Sequence, residues 1–566
     1  MNLLPAPRRL ILLLALALYL GLSLVTVREI GVVGEVDLSW ALGRPPQVLV
    51  AFDPPTWADG SQPPTPGHRW GPLVASQVRP IESLALGPLH LPLAVNAYTG
   101  GPPDWPARLL WVLSGSRSAV TALQVLFGGV LIALVHRFLS LRATEAAANA
   151  AALLLATDWA FLFYRKVLGG TEIALQAAGL LCLWALWSRR WGGGRHGLLA
   201  LGIGIGLGVM AKITFLFTLL ALLAAALLTR WDKPALNPPL SRGLWTGGLA
   251  VLLLTSPLWL SALHHGLALD AHIYSHDFPQ MQVKRVLSAL SGGSGPSREG
   301  VSNLWLYISE PLAFFGPAYG LPSPPPPSPA RLGGFVLVLA GIALGWRGRH
   351  PTPHEALLRF CSVYLLLQLG LLWLAARDLH QLAQAAPTIA ITAGLALSQL
   401  ASSVGPARSL RHRALALALC LPLATAGVLS LARTDEVVRQ LPVPSFTERG
   451  QAAIVALLRS EGVSRLLVAD YESYGMLELR APEIEVLHAW PAVTGKGSRA
   501  LPELLRAAEG AHLLVMRASQ PMGYNLRPSE RQVQEGAAAL GLSATRLGEV
   551  RAADGEEGAV LYAIGR

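Results

Sequence analysis

The chain has 566 residues, of which 52% are hydrophobic and 14% are charged. Soluble domains usually carry about 25% charged residues, so this composition excludes a purely soluble protein. The formal net charge of +11 does not indicate a nucleic-acid partner, because many basic residues lie in short loops between apolar runs. The three cysteines, Cys182, Cys361 and Cys420, lie within apolar runs without CxxC spacing, so they indicate neither a metal site nor a redox site.

Eleven apolar runs predict membrane-spanning helices. The first run, 10–27, could also be the apolar part of a signal peptide, but its length and the lack of a clear A-x-A site after it favour an uncleaved span. The other ten runs lie near 117–137, 144–164, 171–188, 197–211, 213–229, 244–263, 331–346, 357–376, 384–402 and 412–432. Each can cross an apolar layer of about 30 Å, the shorter ones with help from interfacial residues.

Basic residues are distributed unevenly between the two sets of loops. Four lie in the short loops of one set: Arg165, Lys166, Lys212 and Arg377. Fifteen lie in the other set: Arg8, Arg9, Arg137, Arg142, Arg189, Arg190, Arg195, Arg230, Lys233, Arg242, Arg347, Arg349, Arg408, Arg411 and Arg413. Because cytoplasmic loops carry the excess of Lys and Arg, the richer set is predicted to be cytoplasmic. The N-terminus is then inside a cytoplasmic (inner) membrane and the C-terminal part is outside.

This topology divides the chain into six parts. They are a first transmembrane helix (1–27), an extracytoplasmic first loop (28–116), transmembrane helices 2–7 (117–263), an extracytoplasmic loop with a proline-rich end (264–330), transmembrane helices 8–11 (331–432) and an extracytoplasmic tail (433–566). In the tail, 451–459, 501–508 and 531–540 have helical spacing, whereas 465–469, 512–516 and 559–564 are typical of short buried strands. The sequence therefore predicts an α-helical polytopic membrane protein with about eleven transmembrane helices and a C-terminal extracytoplasmic α/β domain.

Charged side chains at membrane depth are costly, so they are candidates for a functional site. Asp158, Glu172 and Lys212 lie within or beside apolar runs. They share the predicted outer side with Arg165, Lys166, Arg377, Asp378 and His380. Each of these residues could instead be half of an internal ion pair, but their common side favours a functional set.

Acidic residues also follow the first span closely, among them Glu35 and Asp37. Asp37 lies where a carboxylate could take a proton from a substrate hydroxyl. A solvated turn or a helix cap is the alternative interpretation of these acids.

Four segments share a pattern with a known family. They are GPLHLPLAVNAYTG (87–100), ALLLATDWAFLFYRK (152–166), LGIGIGLGVMAKITFLF (201–217) and ARDLHQLAQAAPTIAI (376–391). In order, spacing and sidedness they resemble the GT-C integral-membrane glycosyltransferases of the protein O-mannosyltransferase and lipid A aminoarabinose transferase type (glycosyltransferase family 39-like). The resemblance implies a GT-C-like fold and transfer of a sugar from a polyprenyl-phosphate donor to a lipid, glycan or protein acceptor at the outer face of the membrane.

The resemblance also assigns roles to individual residues. It implies that Asp37, with Glu35 as the other contender, acts as the base or orients the acceptor. It implies that basic residues bind the donor phosphate, namely Lys212, Arg165, Lys166, Arg377 and His380. Further candidates are Glu172, Asp158 and His90. No cofactor and no metal are indicated, although a divalent metal is possible.

The sequence departs from the family pattern at two places. Relatives usually carry an aspartate a few residues after the position of Arg165, where this chain offers Glu172 in a different register. The first loop has Glu-Val-Asp at 35–37 in place of a paired Asp-Glu. Two alternatives therefore stay open: a non-catalytic GT-C-like subunit of an envelope assembly, and a secondary transporter, against which the lack of internal repeats counts.

Overall fold

The computed structural model has an apolar helical part and a mixed β-sheet with helices of its own. The described residues are 6–25, 47–48, 83–86, 89–92, 94–96, 99–167, 170–190, 196–212, 214–229, 240–264, 329–348, 351–376, 383–403, 409–439, 447–468, 473, 476–477, 480–488, 501–516, 529–551, 555 and 557–566. Asp37, Glu35, Arg377 and His380 lie outside these residues, so the expectations for them stay predictions.

Each of the eleven predicted spans falls on helix. The helices of this part, in chain order, are α1 (Ala6–Val25), α2 (Trp105–Ser114), α3 (Arg117–Arg142), α4 (Glu145–Ala156), α5 (Trp159–Val167), α6 (Gly170–Arg190), α7 (His196–Ala211), α8 (Phe215–Leu228), α9 (Leu240–His264), α10 (Pro329–Arg347), α11 (Pro353–Ala376), α12 (Ala386–Ser402) and α13 (Leu410–Arg439). Six described helices are long and apolar enough to cross a membrane, and the other five predicted runs correspond to shorter apolar helices. Outward-facing leucines such as Leu13 and Leu227, 59% and 80% exposed, suit contact with lipid. The chain is a multi-pass membrane protein.

The predicted span 144–164 is broken into two helices, α4 and α5. The break lies at Thr157 and Asp158, and the Asp158 carboxylate accepts a hydrogen bond from the backbone N–H of Phe161 at 2.7 Å. Asp158 therefore caps α5, since a short acidic side chain satisfies an unpaired N–H at a helix start. Helix α13 lies directly against the break, because a Cβ on Gly427 would stand 2.1 Å from the Thr157 carbonyl oxygen.

Helix α7 is rich in glycine and packs closely between α6 and α9. On one face, a Cβ on Gly204 would stand 2.7 Å from the Cys182 sulfur of α6. On the other face, a Cβ on Gly202 would stand 2.2 Å from the carbonyl oxygen of Gly247 in α9. Two residues turn a helix by about 200°, so alternate glycines serve opposite faces. Small residues allow this close approach, which drives helix association in lipid.

The tail forms the predicted α/β domain. Its elements are α14 (Glu448–Ser460), β6 (Arg465–Val468), β7 (Glu485–His488), α15 (Leu501–Ala507), β8 (Ala511–Met516), α16 (Glu530–Ala538), β9 (Ser543–Arg551) and β10 (Glu557–Gly565). Earlier in the chain lie β1 (Gln47–Val48), the antiparallel pair β2 (Ser83–Leu86) and β3 (Leu89–Pro92), and the antiparallel pair β4 (Ala94–Asn96) and β5 (Thr99–Gly100). The six-stranded sheet has the order β1-β7-β6-β8-β10-β9.

Alternation along the strands builds a core on each face of this sheet. Leu466 and Leu514 pack with α14 on one face, whereas Leu467 and Leu513 pack with α15 and α16 on the other. Strands β1, β7, β6 and β8 run parallel, and β10 pairs antiparallel with both β8 and β9. Parallel strands are buried on both faces, which is why they lack a polar side in the sequence.

Strand β1 belongs to the tail sheet although it lies within the predicted first loop. Gln47 and Val48 pair in parallel with Leu487 and His488 of β7. The structure thus ties the loop that carries Asp37 to the C-terminal domain.

We expect this pairing to be trapped by oxidation. With Val48→Cys and His488→Cys, the Cα atoms are neighbours in the sheet, about 5 Å apart, which is within disulfide range. The three native cysteines are buried and should not compete. After proteolysis, the cross-link is measured on a non-reducing gel as two fragments that stay joined until a reductant is added. Val48→Cys with Glu485→Cys is the matched control, because three residues along β7 add about 10 Å.

Because α7 packs closely against α9, we expect alanine substitutions at two neighbouring glycines of α9 to differ strongly in their effect on stability. Gly247→Ala places a Cβ 2.7 Å from the Leu198 carbonyl oxygen, whereas Gly248→Ala meets nothing within 4 Å. We expect Gly247→Ala to lower the free energy of unfolding by about 1–3 kcal/mol through overpacking. Gly248→Ala should change it by at most about 0.5 kcal/mol, or raise it. Thermal unfolding in one detergent compares the two; equal midpoints would contradict the close approach.

Candidate functional site

The structure brings together two of the predicted site residues, Glu172 and Lys212. Glu172 Oε1 lies 4.0 Å from Lys212 Nζ, and their side chains are 6% and 9% exposed. Arg165 and Lys166 lie on α5 and His90 lies on β3, but the structure describes only the backbone there. Asp158 caps the start of α5, as described above. Of the candidates whose side chains are described, only Glu172 and Lys212 form a pair with each other.

Glu172 occupies the first turn of α6. The helix begins at Gly170, and the partial positive charge of a helix N-terminus stabilises an acidic side chain at this position. The carboxylate is buried, as Glu172 is 5% exposed. Burial in an apolar bundle raises the cost of a charge and makes a nearby cation necessary.

Lys212 lies in the tight turn between α7 and α8. Its backbone N–H donates to the Gly208 carbonyl oxygen at 3.0 Å, and its own carbonyl accepts from the Phe215 N–H at 2.9 Å. A Cβ on Gly208 would stand 2.3 Å from the Phe215 ring, so glycine at this position lets α8 fold back onto α7. The glycine-rich sequence before Lys212 thus allows the tight turn that holds the lysine.

A third charged residue lies at the same end of the helices. The short 3-10 turn Pro102–Asp104 contacts both α6 and α7, and Asp104 is 2% exposed. The Thr171 hydroxyl donates to Asp104 Oδ2 at 3.5 Å, which joins this turn to the residue before Glu172. Arg108 follows one helical turn later on α2 and is 6% exposed. Asp104, Arg108, Glu172 and Lys212 are all charged and buried, and we refer to them together as the four-charge cluster. The Glu172–Lys212 pair and the Thr171–Asp104 hydrogen bond join its segments, and Arg108 is included as the buried charge of the helix that follows Asp104.

Asp104 and Arg108 were not among the site residues predicted from the sequence. Pro-Pro-Asp before an apolar helix is typical of a helix start, and an acid four residues before a base is typical of an exposed helical pair. Only their burial distinguishes them, and the turn that carries Asp104 packs on helices more than 60 residues away in the chain.

The fourth segment of the site is the end of the late Arg/His loop. Gln176 lies one turn after Glu172 on α6 and donates from Nε2 to the Ala383 carbonyl oxygen at 2.8 Å. Gln384 beside it is 4% exposed. This hydrogen bond fastens the start of α12 to α6, so the segment that follows Arg377 and His380 in the chain lies next to the four-charge cluster.

The arrangement can hold an anionic group. A buried lysine next to apolar helices can bind a phosphate as a point charge. The Glu172 carboxylate offsets the charge of Lys212. Among the described residues, no group of three or more His, Cys, Asp or Glu side chains could hold a metal ion.

A second polar set lies at the opposite ends of the helices. There Arg413 pairs with Glu145 at 3.3 Å, and Thr144 and Ser398 hydroxyls lie 2.8 Å apart. The side chains of Arg413 and Glu145 are 31% and 17% exposed. This pair offers a matched control for charge changes at the four-charge cluster, because it joins helices of the same bundle far from Lys212 in the chain.

We expect Glu172→Gln to lower the free energy of unfolding by about 3 kcal/mol, because it leaves the Lys212 ammonium buried beside a neutral group. Glu172→Gln combined with Lys212→Met should recover at least half of that loss, since no unbalanced charge remains. Glu145→Gln, in the more exposed pair, should cost about 1 kcal/mol or less. Unfolding titrations in mixed detergent measure the three; additive losses in the double variant would show that the two residues are independent.

The segment that carries this site is similar to known proteins. Residues 102–260, which include the whole four-charge cluster, match the family described as dolichyl-phosphate-mannose-protein mannosyltransferase. No curated protein sequence matches the chain. Among solved structures, ArnT from Cupriavidus metallidurans bound to undecaprenyl phosphate matches with a TM-score of 0.52 at 11% identity, over 97% of each chain.

The oligosaccharyltransferase of Archaeoglobus fulgidus in the apo form matches with a TM-score of 0.45 at 14% identity, over 90% of this chain and 69% of that one. The same archaeal enzyme, AglB, in complex with an inhibitory peptide and a dolichol-phosphate matches at 13% identity, with the same score and coverage. Similarity over nearly the whole length of ArnT extends beyond the segment that the family match covers. The fold predicted from the four sequence segments is confirmed: this chain has the GT-C fold of membrane glycosyltransferases.

Proposed function

We propose that this protein is a glycosyltransferase that transfers a sugar from a polyprenyl-phosphate-linked donor to a lipid, glycan or protein acceptor at the outer face of the cytoplasmic membrane. One observation carries the proposal: a buried lysine at the end of a glycine-rich helix, next to a buried acid, within the segment that matches a mannosyltransferase family. The GT-C fold supports it, since that fold is built around lipid-linked sugar transfer in the families that the sequence resembles.

The donor phosphate is the group that Lys212 would bind. The ammonium is buried among apolar helices, where a lipid tail can lie beside them and its phosphate can reach the helix ends. Arg165, Lys166, Arg377 and His380 are further ligands that we propose for the same phosphate. ArnT, which shares the fold, has been solved with undecaprenyl phosphate bound, and this supports a polyprenyl phosphate as the ligand class.

The reaction needs a base, a leaving group and charge stabilisation. The acceptor hydroxyl oxygen would attack the anomeric carbon, and the bond from that carbon to the phosphate oxygen would break with its electron pair left on the phosphate. Asp37, or Glu35 in its place, would take the proton of the acceptor hydroxyl. Preorganised cations around the leaving phosphate stabilise the negative charge that develops on it.

The C-terminal domain is proposed to cover the site or to bind the acceptor. Strand β1 joins its sheet, which links the first loop to the tail. In the proposed topology the N-terminus is cytoplasmic, and the first loop and the tail are extracytoplasmic. The proposal requires no cofactor and no nucleic acid.

Transfer activity tests the proposal directly. We expect Lys212→Ala and Asp37→Asn each to lower the rate of transfer from a labelled polyprenyl-phosphate sugar by about 100-fold, because the first removes charge stabilisation and the second removes the base. Membranes containing the full chain provide the enzyme, and mass spectrometry of glycolipids and glycoproteins from cells with and without the chain identifies the acceptor.

Glu145→Gln is the matched control, because it removes a carboxylate at the opposite end of the bundle. Its transfer rate should equal that of the unsubstituted protein. Full activity in both Lys212→Ala and Asp37→Asn would refute the proposed site. Sugar uptake into vesicles that contain only this protein, without any transfer, would instead favour a transporter.

A further inference from the structure

Two buried glutamines join helices of the bundle by side-chain hydrogen bonds. Gln176 of α6 is 3% exposed and donates from Nε2 to the Ala383 carbonyl oxygen at 2.8 Å. Gln368 of α11 is 1% exposed and donates from Nε2 to the Thr218 hydroxyl oxygen of α8 at 3.3 Å. A buried amide is costly unless it is hydrogen-bonded, so these two contacts fix which residues of the helices lie side by side.

One face of α6 connects both contacts to the ion pair. Glu172, Gln176 and Gly179 follow one another at spacings of four and three residues, so they share a face of the helix. The lysine of the ion pair lies against the first of them, and Ala383 lies against the second. A Cβ on Gly179 would stand 3.8 Å from Thr218 Cγ2. The two glutamine contacts therefore meet α6 about one and two helical turns from the acid of the pair.

A proline explains why the Ala383 carbonyl accepts from another helix. Ala383 lies in the 3-10 turn Ala383–Ala385 that leads into α12, and the residue four positions later is Pro387. Proline has no backbone N–H, so it cannot supply the α-helical donor to that carbonyl. The Gln176 amide supplies a donor from α6 instead. The placement of this turn therefore depends on α6.

The two contacts lie on either side of residues 377–382, which include two of the proposed phosphate ligands, Arg377 and His380. These six residues lie outside the described part of the chain, but the helix before them and the turn after them are described. Gln368 joins the helix before them, α11, to α8, which follows the lysine of the ion pair. Ala383 joins the turn after them to α6, which carries the acid of the pair. Both flanks of the segment are thus fixed to helices that adjoin the ion pair.

We propose that Gln176 and Gln368 are positioning residues of the phosphate site. Their hydrogen bonds hold the flanks of the segment with Arg377 and His380 at a fixed distance from Lys212, so that one phosphate contacts all three cations. Neither glutamine touches the ligand, and each acts through these cations. This inference rests on the proposed function, and it gives the two buried amides a role beyond joining helices.

The test measures binding of a short-chain polyprenyl monophosphate to the purified full-length protein, with the uncharged polyprenol as the control ligand. Gln176→Met removes the amide donor but keeps an unbranched side chain that packs adaptably. It should weaken monophosphate binding about tenfold, which is the loss expected for one hydrogen bond to a charged group. Gln368→Met should act in the same direction. Polyprenol binding should not change, because polyprenol has no phosphate.

Gln399→Met is the matched control. Gln399 lies on α12 and donates from Nε2 to Glu355 Oε1 of α11 at 3.1 Å, at the opposite ends of these two helices. The same substitution there removes a hydrogen bond between helices far from the proposed phosphate ligands, so monophosphate binding should equal that of the unsubstituted protein. A loss as large as that of Gln176→Met would show that any loosened helix contact weakens binding, and the positioning role would be refuted.

A double-mutant cycle separates positioning from a merely structural role. In a background that carries Arg377→Ala and His380→Ala, Gln176→Met should have no further effect on monophosphate binding, because the cations through which it acts are gone. An equal loss in both backgrounds would overturn the proposal, since the glutamine would then act on the fold as a whole. If Gln176→Met does not fold, Gln368→Met is carried through the same cycle with the same expectation.

The failure of this inference is distinguishable from failure of the proposed function. Unchanged binding in both glutamine variants, with binding still weakened by Lys212→Ala, would overturn the positioning role and leave the proposed function standing. Unchanged binding in Lys212→Ala as well would show that the phosphate is not held here, and both proposals would fail.

Discussion

The structure depends on placing charged side chains where almost no water reaches. A buried carboxylate or ammonium is tolerated only beside a charge of opposite sign, because desolvation costs several kcal/mol per ion. Glu172 and Lys212 meet this condition across two helices, 4.0 Å apart. Their pairing requires that α6 begins and α7 ends at the same level, and this requirement fixes the register between the two helices.

Glycine makes that register possible. Lipid offers no hydrophobic drive for helices to associate, so packing has to come from close backbone contact. Alternate glycines of α7 bring it against α6 on one face and α9 on the other, and Gly208 admits the Phe215 ring that folds α8 back. A larger residue at these positions would move Lys212 away from Glu172. The glycine-rich pattern and the lysine after it therefore act together, because the glycines allow the helix packing that places Lys212 beside Glu172.

Sequence alone predicted the apolar helices and the tail strands, because their signals are local: a run long enough to cross lipid, or a short buried strand. It also selected Glu172 and Lys212, since any charge in an apolar run stands out. It did not reveal the break at Thr157. Thr157 and Asp158 are residue types that cap helices, but they lie inside an apolar run that is long enough for one span, and the Gly427 that packs against the break is distant in the chain. Asp104 and Arg108 were missed for the same reason: the turn of Asp104 packs on α6 and α7, and the helix of Arg108 packs on α3 and β3. The placement of Asp37 and Arg377 lies outside the described residues.

Strand β1 shows how far such long-range effects extend. A two-residue strand has no detectable pattern of its own, and it exists only because β7 offers an unpaired parallel edge. Edge strands that stay open invite unwanted pairing, so covering β7 with a segment of the same chain protects the domain. The same pairing anchors the first loop ten residues after Asp37. The loop that is proposed to carry the base is then held at both sides, by the first helix and by the sheet, and ordering of the tail domain becomes a condition for positioning that base.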